Sequence, residues 1–145
     1  MRKLTLGLFV SASAFLFQGC DTSEVLGTFT AQIDGTAWQA VAPAAVKAGG
    51  TFTITGLSAD KQIILHVGGI TNGEYDASVL VGNLNPVVYT PNIKQPQTTY
   101  VSTDGKITIT NVTDKKVSGQ FNVNMQGTSN TIKVTGNFVN VNYSI

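Results

Sequence analysis

The side chains that most often carry out chemistry are scarce in this chain and far apart. It has one cysteine, Cys20, one histidine, His66, and a pair of carboxylates two residues apart, Glu74 and Asp76. A metal site needs several converging ligands, and many serine hydrolases carry a Gly-x-Ser-x-Gly turn, which this sequence lacks. We therefore predict that His66 lies on the surface or at a rim, and we assign no metal, no cofactor and no catalytic residue.

Glu74 and Asp76 fall in a strand-like stretch, and a period of two places both on the same face. Paired carboxylates can carry out acid–base chemistry or bind Ca²⁺. The interpretation we favour is that they are exposed charges that keep the protein soluble and discourage edge-to-edge pairing of strands.

Cys20 follows a segment with the organisation of an export signal. Arg2 and Lys3 supply a positive start, and an apolar stretch runs from Leu4 to Phe17. A helix that spans a membrane needs about 20 apolar residues, so this shorter stretch predicts a signal peptide over residues 1–19. A single cysteine cannot form an internal disulfide, so the thiol needs another explanation.

The end of this segment, Gly19-Cys20, resembles the lipobox of bacterial lipoproteins. That resemblance implies that the Cys20 thiol is joined to a diacylglyceryl group, that a peptidase cuts before it, and that the new N-terminus is acylated. Phe17 and Gln18 differ from the Leu-Ala or Leu-Ser pair that is common at these two lipobox positions. This less strict form resembles the lipoboxes that Bacteroidota tolerate. The alternative is an ordinary thiol at the start of a domain. Two or more acyl chains would give firm attachment to a membrane.

Residues 20–26 then form a short lipidated tether before a domain at 27–145. At about 3.3 Å per residue the tether reaches roughly 23 Å, which keeps the domain close to the membrane surface. Asp21 and Glu24 resemble lipoprotein sorting signals, although a solvated polar tether is the interpretation we favour.

The charge balance argues against a nucleic-acid partner. Without Arg2 and Lys3, seven lysines face eight acidic residues, and no basic stripe remains. The composition is rich in β-branched and aromatic residues mixed with Thr, Asn and Gly, which is typical of strands and turns.

Period-two alternation predicts an all-β domain. It is clearest over residues 116–126, where apolar and polar residues alternate, which favours an antiparallel sheet with one wet face. Near 138–139 the apolar phase flips, which predicts either a β-bulge or a strand that changes sheets. Residues 42–50 fit either a short helix or a short strand that ends in the Gly49-Gly50 turn. Asp104-Gly105 predicts a two-residue hairpin turn.

Three aromatic residues are candidates for ligand binding. Trp38, the only tryptophan, is predicted to anchor the first hairpin in the core or at its rim, with stacking on a ligand as the alternative. Tyr89 and Tyr100 belong to or flank a proline-interrupted connection at 81–98, in which we predict an edge strand over Val87–Thr90. Long ordered connections often carry function.

The stretches FTAQIDGTAWQA and ITITNVTDKKVSGQFNV are similar to those of a family of small, functionally uncharacterised β-rich lipoproteins from Bacteroidota. The matching residues are Phe29, Ala31, Ile33, Asp34, Gly35 and Trp38, then Ile107 to Asn111, then Val117, Ser118, Gly119 and Phe121. The order of elements covers most of 27–145. The resemblance implies no particular activity.

We predict one antiparallel all-β domain of about eight to ten strands, either a sandwich or a flattened barrel. The leading functional hypothesis is a non-enzymatic lipoprotein of the bacterial cell envelope, at the outer membrane, that binds a ligand or an envelope protein. A lipocalin-like barrel with a cavity for a small apolar ligand is its more specific form. The alternatives are a structural or adhesive module without a small-molecule site and, third, a hydrolase built on His66.

Overall fold

Strands account for almost all of the regular structure in the computed structural model, which describes residues 27–78 and 85–145. One short 3-10 helix, Pro96–Thr98, is also present. In chain order the strands are β1 (Thr28–Ile33), β2 (Thr36–Gln39), β3 (Ala44–Ala48), β4 (Thr51–Ser58), β5 (Lys61–Val67), β6 (Gly73–Asp76), β7 (Val87–Thr90), β8 (Tyr100–Val112), β9 (Lys116–Gln126) and β10 (Thr131–Ser144). The predicted all-β domain is confirmed. The predicted signal peptide and tether lie outside the described residues.

The strands form a barrel with extensions. Seven strands, in the order β10-β3-β4-β5-β7-β8-β9, close on themselves because β9 pairs with both β8 and β10. β1 pairs with the part of β10 that does not pair with β3, and β2 pairs with β1. β6 pairs with β8, so these three strands extend the sheet beyond the barrel. As a result, one wall is a six-stranded antiparallel sheet in the order β2-β1-β10-β9-β8-β6. The opposite wall is β3-β4-β5-β7.

The barrel closes through two short contacts. β10 pairs with β3 over two residues, Tyr143 and Ser144, in the one parallel pairing among the described strands. At the other seam, β7 pairs with β8 through Val88–Val101 and Tyr89–Tyr100. The predicted bounds of β7, Val87–Thr90, are confirmed, but the prediction that it is an edge strand is wrong. It lies between β5 and β8, and Pro86 precedes the first paired residue, where no ladder hydrogen bond is lost.

β10 pairs with two different neighbours, and an irregularity lies between the two parts. Residues 134–139 pair with β1, whereas 143–144 pair with β3. Between them the register against β9 shifts, Asn140 has φ 52°, and its N–H donates to Ser118 Oγ at 2.8 Å. The predicted β-bulge is therefore confirmed, whereas the strand changes its neighbour within one sheet and does not change sheets.

Asp104-Gly105 does not form the hairpin turn that the sequence predicts. It lies inside β8, where the register against β9 shifts between Ser102 and Asp104. Gly105 has φ 120°, and a Cβ there would lie 2.2 Å from the Asn122 carbonyl oxygen. Because both flanks pair with the same strand, a sequence that favours positive φ produces a bulge instead of a reversal. Residues 44–48 form β3, so the strand alternative is confirmed there.

Phenylalanine rings fill the centre of the barrel, next to two glycines. Phe29 lies 5.7 Å from Phe121 and 6.2 Å from Phe138 between ring centroids. In the β9–β10 register Phe121 is opposite Gly136, and Phe138 is opposite Gly119. A Cβ on either glycine would lie 2.5 Å from the facing ring. Each glycine therefore leaves the space that a phenylalanine of the neighbouring strand occupies.

Ser102 is a polar residue with no exposed surface that joins the start of β8 to the adjacent connection. Its Oγ accepts from the Val87 N–H at 2.9 Å and donates to the Ala77 carbonyl oxygen at 2.5 Å. Both hydrogen bonds satisfy backbone groups on either side of residues 79–84, so this buried hydroxyl fixes the two ends of that connection against β8.

Gly136→Ala is expected to destabilise the domain by about 2 kcal/mol or more, because the new methyl overlaps the Phe121 ring and lies close to the Thr30 carbonyl oxygen. Thr135→Ala, one position away on the outer face, serves as the control and should change stability by less than about 1 kcal/mol. Urea unfolding followed by circular dichroism measures both variants. Equal midpoints for Gly136→Ala and the wild type would contradict this account of the core.

Candidate functional site

Trp38 is partly buried and packs at the rim of the core, which is one of the two placements that the sequence predicts. Its ring meets Phe29 edge to face, with centroids 5.8 Å apart. A Cβ on Gly56 of the opposite wall would lie 3.0 Å from the indole. The indole N–H is buried without a hydrogen-bond partner among the described residues. This packing fills the barrel beneath β2, while Trp38 stays partly exposed and also borders a depression on the outer side of the sheet.

Tyr89 and Tyr100 lie together at the β7–β8 seam, with ring centroids 5.9 Å apart. Tyr89 is buried, and burial raises the pKa of its phenol, with smaller contributions from Tyr100 and Asp60. Tyr100 is half-buried, and its hydroxyl donates to Asn130 Oδ1 at 2.9 Å. The two tyrosines are thus brought together, whereas Trp38 packs on the separate β1–β2 extension. The three residues do not form one ligand site.

His66 lies on the outer side of the β3-β4-β5-β7 wall, opposite Thr53. Its Nδ1 is 3.4 Å from Thr53 Oγ1, which is its one side-chain hydrogen-bond contact within the described ranges. The hydrolase hypothesis needs a carboxylate in this position, and a threonine hydroxyl occupies it instead. In the same ranges, no three His, Cys, Asp or Glu side chains converge in a way that could hold a metal ion.

The interior-facing side chains pack on one another in one hydrophobic cluster, and a concavity lies outside the barrel. It is an open depression of about 730 Å³ on the outer side of the six-stranded sheet. The outward residues of successive strands line it, because a period of two sends alternate side chains to that side. The outer surface of the six-stranded sheet is therefore the candidate ligand site.

Two rows of side chains form this surface, which we call the amide face. Each row contains one residue from each of the six strands. In strand order the first row is Gln39, Thr30, Asn137, Gln120, Thr108 and Glu74, and the second is Ala37, Gln32, Thr135, Asn122, Lys106 and Asp76. At about 4.8 Å between strands, each row is roughly 24 Å long. Five carboxamides and three threonine hydroxyls dominate the surface.

The amides and hydroxyls of the amide face have no side-chain hydrogen bonds to other described residues. Gln120 and Asn122, at its centre, are exposed on β9 and are flanked by equally exposed Asn137 and partly exposed Thr135 of β10. A carboxamide offers two donor hydrogens and an acceptor oxygen, and a hydroxyl offers one donor and an acceptor. Because they have no protein partner among the described residues, these groups are available to a ligand that presents donors and acceptors together.

The charges of the amide face are confined to its β8–β6 edge. Lys106 Nζ lies 2.7 Å from Glu74 Oε2. The hydrogen bond and the charge of Glu74 raise the pKa of the exposed Lys106 ammonium group. Asp76 accepts from the Ser78 N–H at 2.8 Å. The predicted exposure of Glu74 and Asp76 is confirmed, and the paired Lys106 leaves the centre of the face uncharged.

The sequence analysis identified only part of this site. The wet side of β9 was visible in its alternation, including Gln120 and Asn122. Which strands would lie beside β9 depends on pairings between residues far apart in sequence, such as Thr30 with Asn137. A useful signal was the accumulation of Gln, Asn and Thr at outward positions in several strands, without an aromatic residue among them.

The comparison with known families confirms that the chain belongs to an uncharacterised family. The chain matches the model of a family described as a domain of unknown function (DUF6252) over residues 27–142. Because that match covers most of the chain, the protein belongs to this family. No curated protein and no solved structure matches it significantly.

Within residues 27–78 and 85–145, the structure contains no helix long and apolar enough to cross a membrane.

Proposed function

We propose that the protein is a lipid-anchored, non-enzymatic binding protein of the bacterial envelope, and that its amide face binds an uncharged, hydroxyl-rich ligand, namely a glycan. The observation that carries the proposal is the concavity of about 730 Å³ over two rows of unpaired amides and hydroxyls. The anchor rests on the lipobox resemblance at Gly19-Cys20, and the Bacteroidota-like form of that lipobox favours an outer-membrane location.

The chemistry of the face selects among ligands. Sugars present neighbouring hydroxyl groups, each of which donates and accepts, and a carboxamide can bond to two of them at once. An anionic ligand would need free cations, but Lys106, the lysine within the amide face, is already paired with Glu74, and Lys133 lies beyond the second row. An apolar ligand would leave the amides desolvated and unpaired, which costs about 1–3 kcal/mol per group. A neutral glycan meets neither difficulty.

The filled interior argues against the small apolar ligand that a lipocalin-like barrel would hold. Phe29, Phe121 and Phe138 occupy the centre, where such a ligand would lie, and Trp38 covers the β1–β2 side. The three phenylalanine rings are thereby used in the core, whereas Trp38 stays partly exposed beside the depression. Binding on the amide face would depend on hydrogen bonds and on several contacts along a chain.

Cys20→Ser is expected to abolish acylation, because the thiol is the atom that receives the lipid. Cells of a Bacteroidota host that express the wild type would incorporate labelled palmitate into the protein, and cells that express Cys20→Ser would not. Ser23→Ala, in the tether, is the matched control and should retain the label. An unlabelled wild type with an intact N-terminus at Met1 would overturn the proposed anchor.

The double variant Gln120→Ala/Asn122→Ala should bind a neutral polysaccharide at least tenfold more weakly, since two hydrogen-bonding amides of about 1 kcal/mol each are lost. Retention on a panel of immobilised neutral and sulfated polysaccharides measures this. Gln62→Ala/Gln97→Ala removes two glutamines from β5 and from the β7–β8 connection, away from the amide face, and is the control. The proposal fails if no neutral polysaccharide retains the wild type, or if both double variants lose equally.

A further inference from the structure

The depression on the amide face is longer across the strands than along them. Five strands line it, in the order β2, β1, β10, β9 and β8, and each contributes residues from within three consecutive positions. With about 4.8 Å between strands the depression is roughly 19 Å long, and two residues of rise along a strand make it about 7 Å wide. We call the amide-face residues of these five strands the groove.

The floor of the groove is the backbone of the sheet. Ala31 pairs with Gly136, which pairs with Phe121, and the Ala31 and Phe121 side chains belong to the hydrophobic core on the other side. Backbone groups inside a sheet are already paired, so a ligand meets the outward side chains of the two rows instead. A volume of about 730 Å³ over this floor corresponds to a mean depth of about 5 Å, which a single layer of ligand fills.

The neutral amides and hydroxyls end on both sides of the groove. Beyond the second row, Lys133 and Asp104 both lie opposite Asn124 and bring charges to the surface. Beyond the first row, Val139 lies opposite Thr28 and exposes an apolar side chain. A ligand that ran along the strands would reach these residues within about 7 Å. A ligand that crosses the strands stays among amides and hydroxyls.

We propose that the ligand of the amide face is an extended, unbranched glycan whose chain crosses the strands, with about one sugar unit for each strand. The inference rests on the proposed binding of a neutral glycan and specifies its shape. A pyranose ring linked through opposite carbons advances an extended chain by a distance close to the spacing between strands, so successive units meet successive strands. Both edges of such a chain carry hydroxyl groups, and each edge faces one row of donors and acceptors.

The dimensions of the groove exclude other chain shapes and limit the length of chain that it holds. A chain wound into a helix would curve out of a groove that is one layer deep, and a branch would displace one edge of the chain from its row. At the β8 end, the ion pair between Lys106 and Glu74 replaces the neutral groups. The groove therefore accommodates roughly four or five sugar units.

Retention on immobilised neutral polysaccharides of different shape tests the inference. Unbranched β-1,4-linked glucan, mannan and xylan are extended, whereas α-1,4-linked glucan coils and α-1,6-linked glucan is flexible. At least one extended polysaccharide should retain the protein tenfold more strongly than either α-linked glucan, because a curved chain loses contact with two or more amides. A smaller difference, or a preference for an α-linked glucan, would overturn the inference and leave the proposed function standing. If no neutral polysaccharide retains the protein, the proposed function itself fails.

Chain length gives a second readout. Oligosaccharides cut from the most strongly retained polysaccharide compete with it for the protein. Their affinity should rise about fivefold for each unit added between the disaccharide and the tetrasaccharide, because each unit gains about one hydrogen bond. From the hexasaccharide onward it should change less than twofold, since the groove is then full. A plateau at the disaccharide, or an undiminished rise beyond the hexasaccharide, would contradict a groove of this length.

Two variants test the direction of the chain. Gln32→Ala/Gln39→Ala removes two exposed amides from the β1–β2 end of the groove and should weaken hexasaccharide binding at least tenfold. The disaccharide, which the centre of the groove still binds, should lose less than twofold. Asn124→Ala removes the next exposed amide along β9, outside the groove, and is the matched control.

Asn124→Ala should change the affinity for either oligosaccharide less than twofold, and circular dichroism melting confirms that each variant is folded. A fivefold loss in Asn124→Ala, or equal losses of the two oligosaccharides in Gln32→Ala/Gln39→Ala, would overturn a chain that crosses the strands. Either result would leave glycan binding on the amide face intact, so the failure of this inference and that of the proposed function are distinguishable.

Discussion

The close approach of β9 and β10 at two glycine–phenylalanine pairs is the constraint on which the rest of the structure depends. Gly136 faces Phe121 and Gly119 faces Phe138, so each ring lies over a position without a side chain. Phe29 of β1 then packs on both rings. The strands of the opposite wall are shorter than β8, β9 and β10. Large apolar surfaces are nevertheless buried, because aromatic side chains of the six-stranded sheet fill the centre of the barrel.

That inner packing has a consequence on the opposite side of the same strands. With the aromatic residues turned inward, the outward positions of six strands are left to amides, hydroxyls and a few charges, and their registers align them in two rows. The bulges at Gly105 and Asn140 adjust β8 and β10 at either side of β9. The barrel closes beyond these bulges, at the β7–β8 and β3–β10 seams. Core, closure and the amide face thus arise from the same three long strands.

Local pattern was sufficient to predict the elements and insufficient to predict their neighbours. The alternation of apolar and polar residues predicts β9 and the irregularity in β10, because a strand with one buried face shows this period of two in its sequence. The hairpin turn predicted at Asp104-Gly105 is wrong because positive φ suits a bulge as well as a turn. Only the pairing of both flanks with β9 decides between the two. The prolines on either side of β7 favour an edge strand in the sequence, although none of them falls within Val87–Thr90. The amide face required registers that join distant segments, which no local window contains.

The account depends most on the claim that the amide face is where a hydroxyl-rich ligand binds. Nuclear magnetic resonance of the side-chain amide groups tests this directly, during titration with a neutral oligosaccharide selected by retention. The account predicts that the side-chain amide signals of Gln120, Asn122 and Asn137 shift together along one saturating curve, while those of Gln62 and Gln97 remain in place. Shifts confined to residues outside the amide face, or no shift at saturating retention concentrations, would contradict it.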